Sequence, residues 1–431
     1  MMTRLTAAGV GAWFVVVALG GLQVTALSNS ARQPKDSDSQ VRKGSRIPAF
    51  EYDPTWPKTL PNNWVTGEIG AMTVDSKDHI WVLQRPSSTL NLSERYGLEG
   101  NGECCFPAPP VMEFDMAGNL VQAWGPIHGD GDKGQVNAEA RGLGPPGPWL
   151  LGKQVWGPFP AIGQDVWPGH EHGIFVDYKD NVWVDDAFAP SHILKFTRDG
   201  RKFIMQLGKG GTDEGKSSGD TTRFAGPTGI LVDPTTNEVF VADGYRNRRV
   251  IVFDADTGAY KRMWGAYGSR PEDPQGSNPI EGRYDSNVRS KQFATAHCLM
   301  MSVDRLLYVC DRVNNRIQVF KTDGTFVREA VVAPLSRGFG AVHALGFSSD
   351  KDQRFVYVGD GANKHVWILQ RDDLKVVGSF GHGGRNGGQF EVIHALAVDS
   401  KGNVYVGETR NLNRVQKFKF VGMRSQSPTP E

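Results

Sequence analysis

One phrase recurs six times in this chain and constrains what it can fold into. Its clearest copy is His172-Gly173-Ile174-Phe175-Val176-Asp177, then Asn181-Val182-Trp183-Val184-Asp185-Asp186. Two short runs of apolar β-formers flank a polar turn, which is the pattern of a hairpin. Further copies begin near Met72, Gly229, His297, His343 and His394. A third run follows each copy, often introduced by Asn-x-Arg, as in Asn314-Asn315-Arg316-Ile317-Gln318-Val319-Phe320. Four strands per unit, repeated every ~40–50 residues, predict an all-β chain folded as a six-bladed β-propeller. Such a ring uses most of the 431 residues as one domain. The formal net charge is +1, and no basic run with interleaved aromatics occurs, so a nucleic-acid surface is not expected.

The ends read differently. Residues 1–28 carry Arg4, an apolar run from Ala7 and small residues at Ala26 and Ser28. That is the layout of a secretory signal, with an uncleaved membrane anchor as the alternative because the apolar run extends to Leu27. Either way the propeller is expected outside the cytoplasm, in a periplasmic or extracellular setting. Residues 29–46 are polar and read as a disordered linker, 47–420 as the propeller, and 421–431 as a disordered tail. The sixth unit is one strand short. Residues 47–52 are therefore expected to supply that strand and close the ring, because an open ring leaves exposed strand edges. The long insertions 86–110, 125–169, 208–225 and 265–294 all fall at one end of the blades, which marks the binding face.

In a propeller the first strand of each blade lines the axis. The residues aligned at its start are Gly70, His172, Thr228, His297, His343 and His394, so four of the ten histidines share one repeat position. His172, His297 and His394 fall on alternate blades, about 120° apart in a sixfold ring, and would converge on one metal ion with an open coordination position. A single histidine at such a place is more often a hydrogen-bonded core residue; four at one repeat position favour the metal. His343 breaks the three-fold pattern and is left as a fourth ligand, a support behind the ligands, or packing. At the end of the second strand the aligned residues are Gln84, Asp186, Asp243, Asp311, Asp360 and Glu408. A group so regular is structural, bonding loop N–H groups. Its irregular neighbours are better functional candidates. Tyr245 offers a phenol as a base, and Arg85 and Arg312 offer planar forks for a carboxylate. The adjacent Cys104 and Cys105 are not expected to pair with each other. Cys298 and Cys310 lie almost opposite on one predicted hairpin, which leaves a bridge open.

These residues resemble those of the NHL-repeat propellers, and among them the peptidyl-α-hydroxyglycine α-amidating lyases. The likeness covers about residues 71–420. It is clearest at His172-Gly173, at Val241-Ala242-Asp243-Gly244-Tyr245-Arg246-Asn247, at Asp311-Arg312-Val313-Asn314-Asn315-Arg316-Ile317-Gln318 and at His394. The resemblance implies zinc on His172, His297 and His394, a catalytic Tyr245, and active-site arginines at Arg312 and Arg85. It implies cleavage of a carbinolamide C–N bond to an amide and glyoxylate, with a peptide or small-molecule substrate ending in a carboxylate. Ala395 stands where the family places an aspartate that helps bind a structural calcium, which argues against that ion here. Arg246 stands where the family has a half-cystine.

Two other readings compete. A hydrolase or lactonase of another propeller family normally uses Asp, Glu and Asn around calcium, and the histidine ring argues against it. A non-catalytic propeller serving as an exported interaction module predicts no bound metal.

Overall fold

The computed structural model describes residues 46–97, 102–125, 167–188, 191–209, 217–273 and 290–425. The expected signal or anchor at 1–28, the linker at 29–45 and most of the 125–169 insertion lie outside these residues. Among the described residues, no helix is long and apolar enough to cross a membrane.

Six four-stranded antiparallel sheets stand around one axis. Blade one is Glu68–Val74, Ile80–Arg85, Val111–Phe114 and Leu120–Trp124. Blade two is Glu171–Val176, Asn181–Asp186, Ile193–Thr197 and Phe203–Leu207. Blade three is Pro227–Asp233, Glu238–Asp243, Arg249–Asp254 and Tyr260–Trp264. Blade four is Ala296–Met301, Leu307–Asp311, Arg316–Phe320 and Phe326–Val331. Blade five is Val342–Phe347, Phe355–Asp360, His365–Gln370 and Val376–Phe380. Blade six is Ile393–Val398, Val404–Glu408 and Val415–Ser425, with Arg46–Asp53 as its outermost strand. The first strands touch in sequence around the axis, blade six against blade one included, so the ring is continuous at its centre.

Alternation makes this possible. Each blade is apolar on both faces, because each packs against two neighbours. The core accordingly divides into six clusters, one per blade interface. Blades one and two share Trp81, Trp124, Val184 and Phe196; blades three and four share Phe240, Trp264, Leu299 and Phe320. At about 1.5–3 kcal/mol per fully buried large side chain, each interface is worth more than any single loop contact.

The repeated polar positions tie the loops to these sheets. Asp311 accepts the N–H groups of Ala294 and Thr295, while its other oxygen accepts from Asn314 and Arg316 at 2.8 Å each. Asp243 does the same for Ala225, Asn247 and Arg249, and Glu408 for Glu391, Arg414 and Gln416. The arginine of the Asn-x-Arg phrase is thus saturated. Arg249, fully buried, also donates to the carbonyls of Ser218, Asp220 and Arg223, and so pins the insertion that precedes its blade.

Three expectations change. The tail boundary at residue 420 moves, because the third strand of blade six runs on to Ser425 and pairs Arg424 with Ile47 and Ser425 with Arg46. Arg46 belongs to that strand rather than to the linker. Cys104 and Cys105 are bonded to each other, and Cys298 is bonded to Cys310, its cross-strand partner.

The outer strand buries Ile47 and sets the Phe50 ring 4.5 Å from that of Phe380 and 5.4 Å from that of Tyr357. Removing residues 1–45 should leave the thermal midpoint unchanged. Removing 1–53 should lower it by ~5 °C or more, since two large apolar side chains lose their burial. Differential scanning calorimetry of the two truncations distinguishes a strand that secures the ring from one that merely decorates it.

Candidate metal centre

The residue at the start of each first strand proves to be a β-bulge. The register between first and second strands shifts at the same place in every blade, around Gly70, His172, Thr228, His297, His343 and His394. A bulge carries an extra residue out of the ladder and re-aims its side chain. Here it turns four imidazoles toward the axis.

Those of His172, His297 and His394 meet there. Their ring centres are 4.9, 4.8 and 5.0 Å apart, a nearly equilateral triangle, and one nitrogen from each lies within 4.8 Å of the others. The other nitrogen of each ring is committed. His172 Nδ1 bonds the Thr228 carbonyl at 3.1 Å, His297 Nδ1 the His343 carbonyl at 2.8 Å, and His394 Nδ1 the Gly70 carbonyl at 2.8 Å. A carbonyl only accepts, so each Nδ1 carries the proton and each Nε2 keeps a lone pair. Burial holds all three well below the ordinary imidazole value, with the charge of Arg312 adding to it at each and that of Arg85 at His172 and His394. Three neutral imidazoles directing lone pairs at one point, with their outer nitrogens anchored, form the donor set of a nitrogen-binding divalent ion.

The alternation is now explained. Blades two, four and six provide the imidazoles; blades three, five and one provide the carbonyls that orient them. His343 serves through its backbone. Its own Nδ1 accepts from Gly361 N–H at 3.3 Å, so its ring is the opposite tautomer and is not a fourth ligand in this arrangement. Below the triangle, the first strands enclose an axial cavity of about 560 Å³ with walls such as Met72, Ile174, Leu299 and Leu396.

Above the triangle sit the expected polar groups. Gly244 lets the chain enter this space: its backbone abuts Ala296, and a Cβ would come within 2.0 Å of the Ala296 carbonyl. The next residue, Tyr245, donates its hydroxyl to His172 Nε2 at 2.9 Å and lies 3.5 Å from His297 Nε2. Arg312 stands beside it, Nη1 3.5 Å from the Tyr245 oxygen and the guanidinium 5.4 Å from its ring centre. Arg312 is only 4 % exposed, its Nε has no partner, and no carboxylate among the described residues pairs with it. An unpaired buried guanidinium is expensive, and its presence points to an anion that completes it. Arg85 is different. It binds Glu68 at 3.0 Å and the Glu171 carbonyl at 2.6 Å, leaving only Nη2 unsatisfied.

Two features escaped the sequence reading. Phe188 stacks on Tyr245 at 5.6 Å and meets the His170 ring at 4.8 Å, forming an aromatic wall. Its place just beyond a second strand, like that of Tyr245 and Arg312, was the available signal. A second cluster, Asp75, His79 and Glu113, also has metal-like spacing. Arg198 fills it, bonding both Asp75 and Glu113, so a cation already occupies the cluster.

This centre defines a class: a six-bladed propeller with a three-histidine pocket on its axis, roofed by a tyrosine and an arginine. The comparisons give the likeness. The chain is a six-bladed β-propeller similar to proteins named peptidyl-α-hydroxyglycine α-amidating lyase. It is 26 % identical to lyase 1 of Drosophila melanogaster over 411 residues, covering 89 % of this chain and 66 % of that one. It is 33 % identical to lyase 2 of the same organism over 258 residues, covering 57 % and 54 %. It is 30 % identical to the peptidylglycine α-amidating monooxygenase of Rattus norvegicus over 255 residues, 58 % of this chain, and spans about a quarter (23 %) of that longer protein. No protein-family model matches the chain. Among solved structures, streptogramin B lyase aligns at TM-score 0.45 and 11 % identity over 86 % of this chain and 97 % of its own, which adds nothing to the reading of the site.

Two predictions follow from this geometry. Protein purified without chelator should hold about one divalent ion per chain. Alanine at His172, His297 or His394 should abolish binding measured by elemental analysis, while alanine at His343 should leave the stoichiometry unchanged; full occupancy in the triple variant would refute the site. The second concerns Asp185, a buried carboxyl that accepts Gly173 N–H at 2.6 Å while its other oxygen has no partner. Burial, with Asp186 nearby, pushes it up to about 8. A carboxyl raised by folding stabilises fully below its unfolded value near 4 and loses that contribution as pH rises toward 8. The loss is at most about 1.4 kcal/mol per pH unit in that window. Asp185→Asn should therefore match the wild type at pH 4–5 and exceed it in denaturant midpoint at pH 8–9.

Proposed function

We propose that this protein is a zinc-dependent lyase of the α-hydroxyglycine-amidating type. The reaction splits a carbinolamide into an amide and glyoxylate. The observation that carries the reading is the buried, unpaired Arg312 beside Tyr245, directly over three converging imidazole lone pairs. Similarity to proteins named for this reaction supports it.

The chemistry needs few parts. The hydroxyl proton leaves oxygen as the new C=O forms, the C–N bond breaks, and the departing nitrogen gains a proton. No water, oxidant or reductant is consumed. Zinc held by His172, His297 and His394 would supply Lewis-acid polarisation of the substrate hydroxyl. Arg312 supplies the charge that a substrate carboxylate completes, and its planar fork fixes the direction of that carboxylate. Arg85 and its charge stand on the neighbouring wall, where Glu68 keeps the side chain fixed. As its phenolate, Tyr245 would accept the hydroxyl proton. Its oxygen lies beside Nε2 of both His172 and His297, so a metal held there would take the lone pair to which the phenol now donates and leave that oxygen facing the substrate hydroxyl. The aromatic wall of Phe188 and His170 shields one side from water.

The test follows glyoxylate release from an α-hydroxyglycine-ended peptide. Tyr245→Phe keeps the ring stacked on Phe188 and removes one oxygen. It should cost roughly 10²–10⁴-fold in kcat while metal content and thermal midpoint stay at wild-type values. Arg312→Ala should act chiefly on kcat/KM, since the carboxylate partner is lost. Equal rates for wild type and Tyr245→Phe would exclude tyrosine as the base. A zinc-loaded wild type that releases no glyoxylate would exclude the lyase reading itself.

A further inference from the structure

Two large apolar side chains stand in water on the histidine end of the propeller. Leu335 is 78 % exposed and Phe339 44 % exposed, both on the loop that joins the last strand of blade four to the first strand of blade five. The loop is tightly held. Asn315, fully buried, secures it at three points: its carbonyl accepts Val332 N–H at 2.7 Å, its side-chain oxygen accepts Ala341 N–H at 2.7 Å, and its amide donates to the Ser336 carbonyl at 3.0 Å. Asn363 adds a bond to the Ser336 hydroxyl at 2.7 Å.

The same loop rests on the candidate site. Gly340 lies against the backbone of Arg312, where a Cβ would come within 2.0 Å of the Arg312 carbonyl. From blade six, Arg410 lays its guanidinium 4.8 Å from the Phe339 ring centre. No carboxylate among the described residues pairs with Arg410. The preceding residue, Thr409, donates its hydroxyl to Glu68 at 2.6 Å, the carboxylate that holds Arg85, so Arg410 stands beside the mouth. The mouth is thus bordered by Arg85, His170, Tyr245, Arg312, Phe339 and Arg410.

Apolar side chains fixed in water on a rigid loop, continuous with a cationic pocket, form a surface for a ligand that is itself half charged and half apolar. We infer that loop 332–341 is a specificity subsite. The residue just before the reacting end of a peptide substrate lays an apolar side chain on Phe339 and Leu335 while its terminal carboxylate completes Arg312. Arg410 holds the Phe339 ring and, by like charge, disfavours a cationic side chain at that position. This assignment rests on the carboxylate-directed reading of the site proposed above.

The experiment separates the two. N-acetyl-Phe-Gly and N-acetyl-Ser-Gly carry the carboxylate but lack the reacting hydroxyl, so their binding to the metal-loaded protein is measured by calorimetry without turnover. The phenylalanine peptide should bind roughly tenfold more tightly, the discrimination expected of an apolar contact. Phe339→Ala and Leu335→Ser should each bring the ratio toward one without moving the thermal midpoint or the metal content, because both side chains are solvent-facing. Equal affinities in the wild type, no binding of either peptide, or an unchanged ratio in both variants overturns the subsite. A wild type that discriminates between these acids yet releases no glyoxylate from a hydroxylated peptide keeps the subsite and sinks only the lyase reading.

Discussion

The bond from each ligand imidazole to a carbonyl of the next blade is the contact on which the centre depends. Without it a bulged histidine has several rotamers and two tautomers to choose from. With it, Nδ1 holds the proton and Nε2 faces the axis. The bond also crosses a blade interface, so the triangle of imidazoles is only as accurate as the packing of six blades around it. Core and site are one mechanical system: the apolar clusters set the blade spacing, and the blade spacing sets the distance between lone pairs.

Much of this was legible in the sequence. The six hairpins, the regular second-strand carboxylates and the shared position of the histidines all follow from a repeat, because a repeat forces equivalent residues into equivalent places. What a repeat cannot express is the difference between neighbours. His343 aligns with the ligands, yet its ring turns to Gly361 N–H while its carbonyl supports His297. Nothing local in the chain records that choice; it comes from which blade stands next door. Leu335 and Phe339 escaped for the same reason, since their loop has meaning only beside Arg312 and Arg410, residues of other segments. The adjacent cysteines were misjudged because their distance along the chain was read as a bar to bonding.

Arginine shows how one residue type divides between scaffold and site. Arg249, Arg316 and Arg414 each meet a carboxylate and several loop carbonyls, and so are spent on holding insertions in place. Arg85 is half spent. Arg312, buried, has as its side-chain hydrogen-bond partner among the described residues only the neutral Tyr245. The scaffold's arginines are recognised by regular spacing and full pairing. The site's arginine is recognised by the lack of both.

The axial cavity gives the centre two unlike sides. On the loop face the triad looks out on guanidinium groups and a phenol; beneath it lie methionine, leucine and isoleucine walls. A carboxylate crossing those walls would give up its hydration for nothing in return. An anion at the triad therefore meets guanidinium charge on the loop face and mainly apolar walls on the other. An anion that completes Arg312 must leave it before another can dock there. Under the lyase reading proposed above, the guanidinium that would draw a carboxylate in would also set how long an acid product stays.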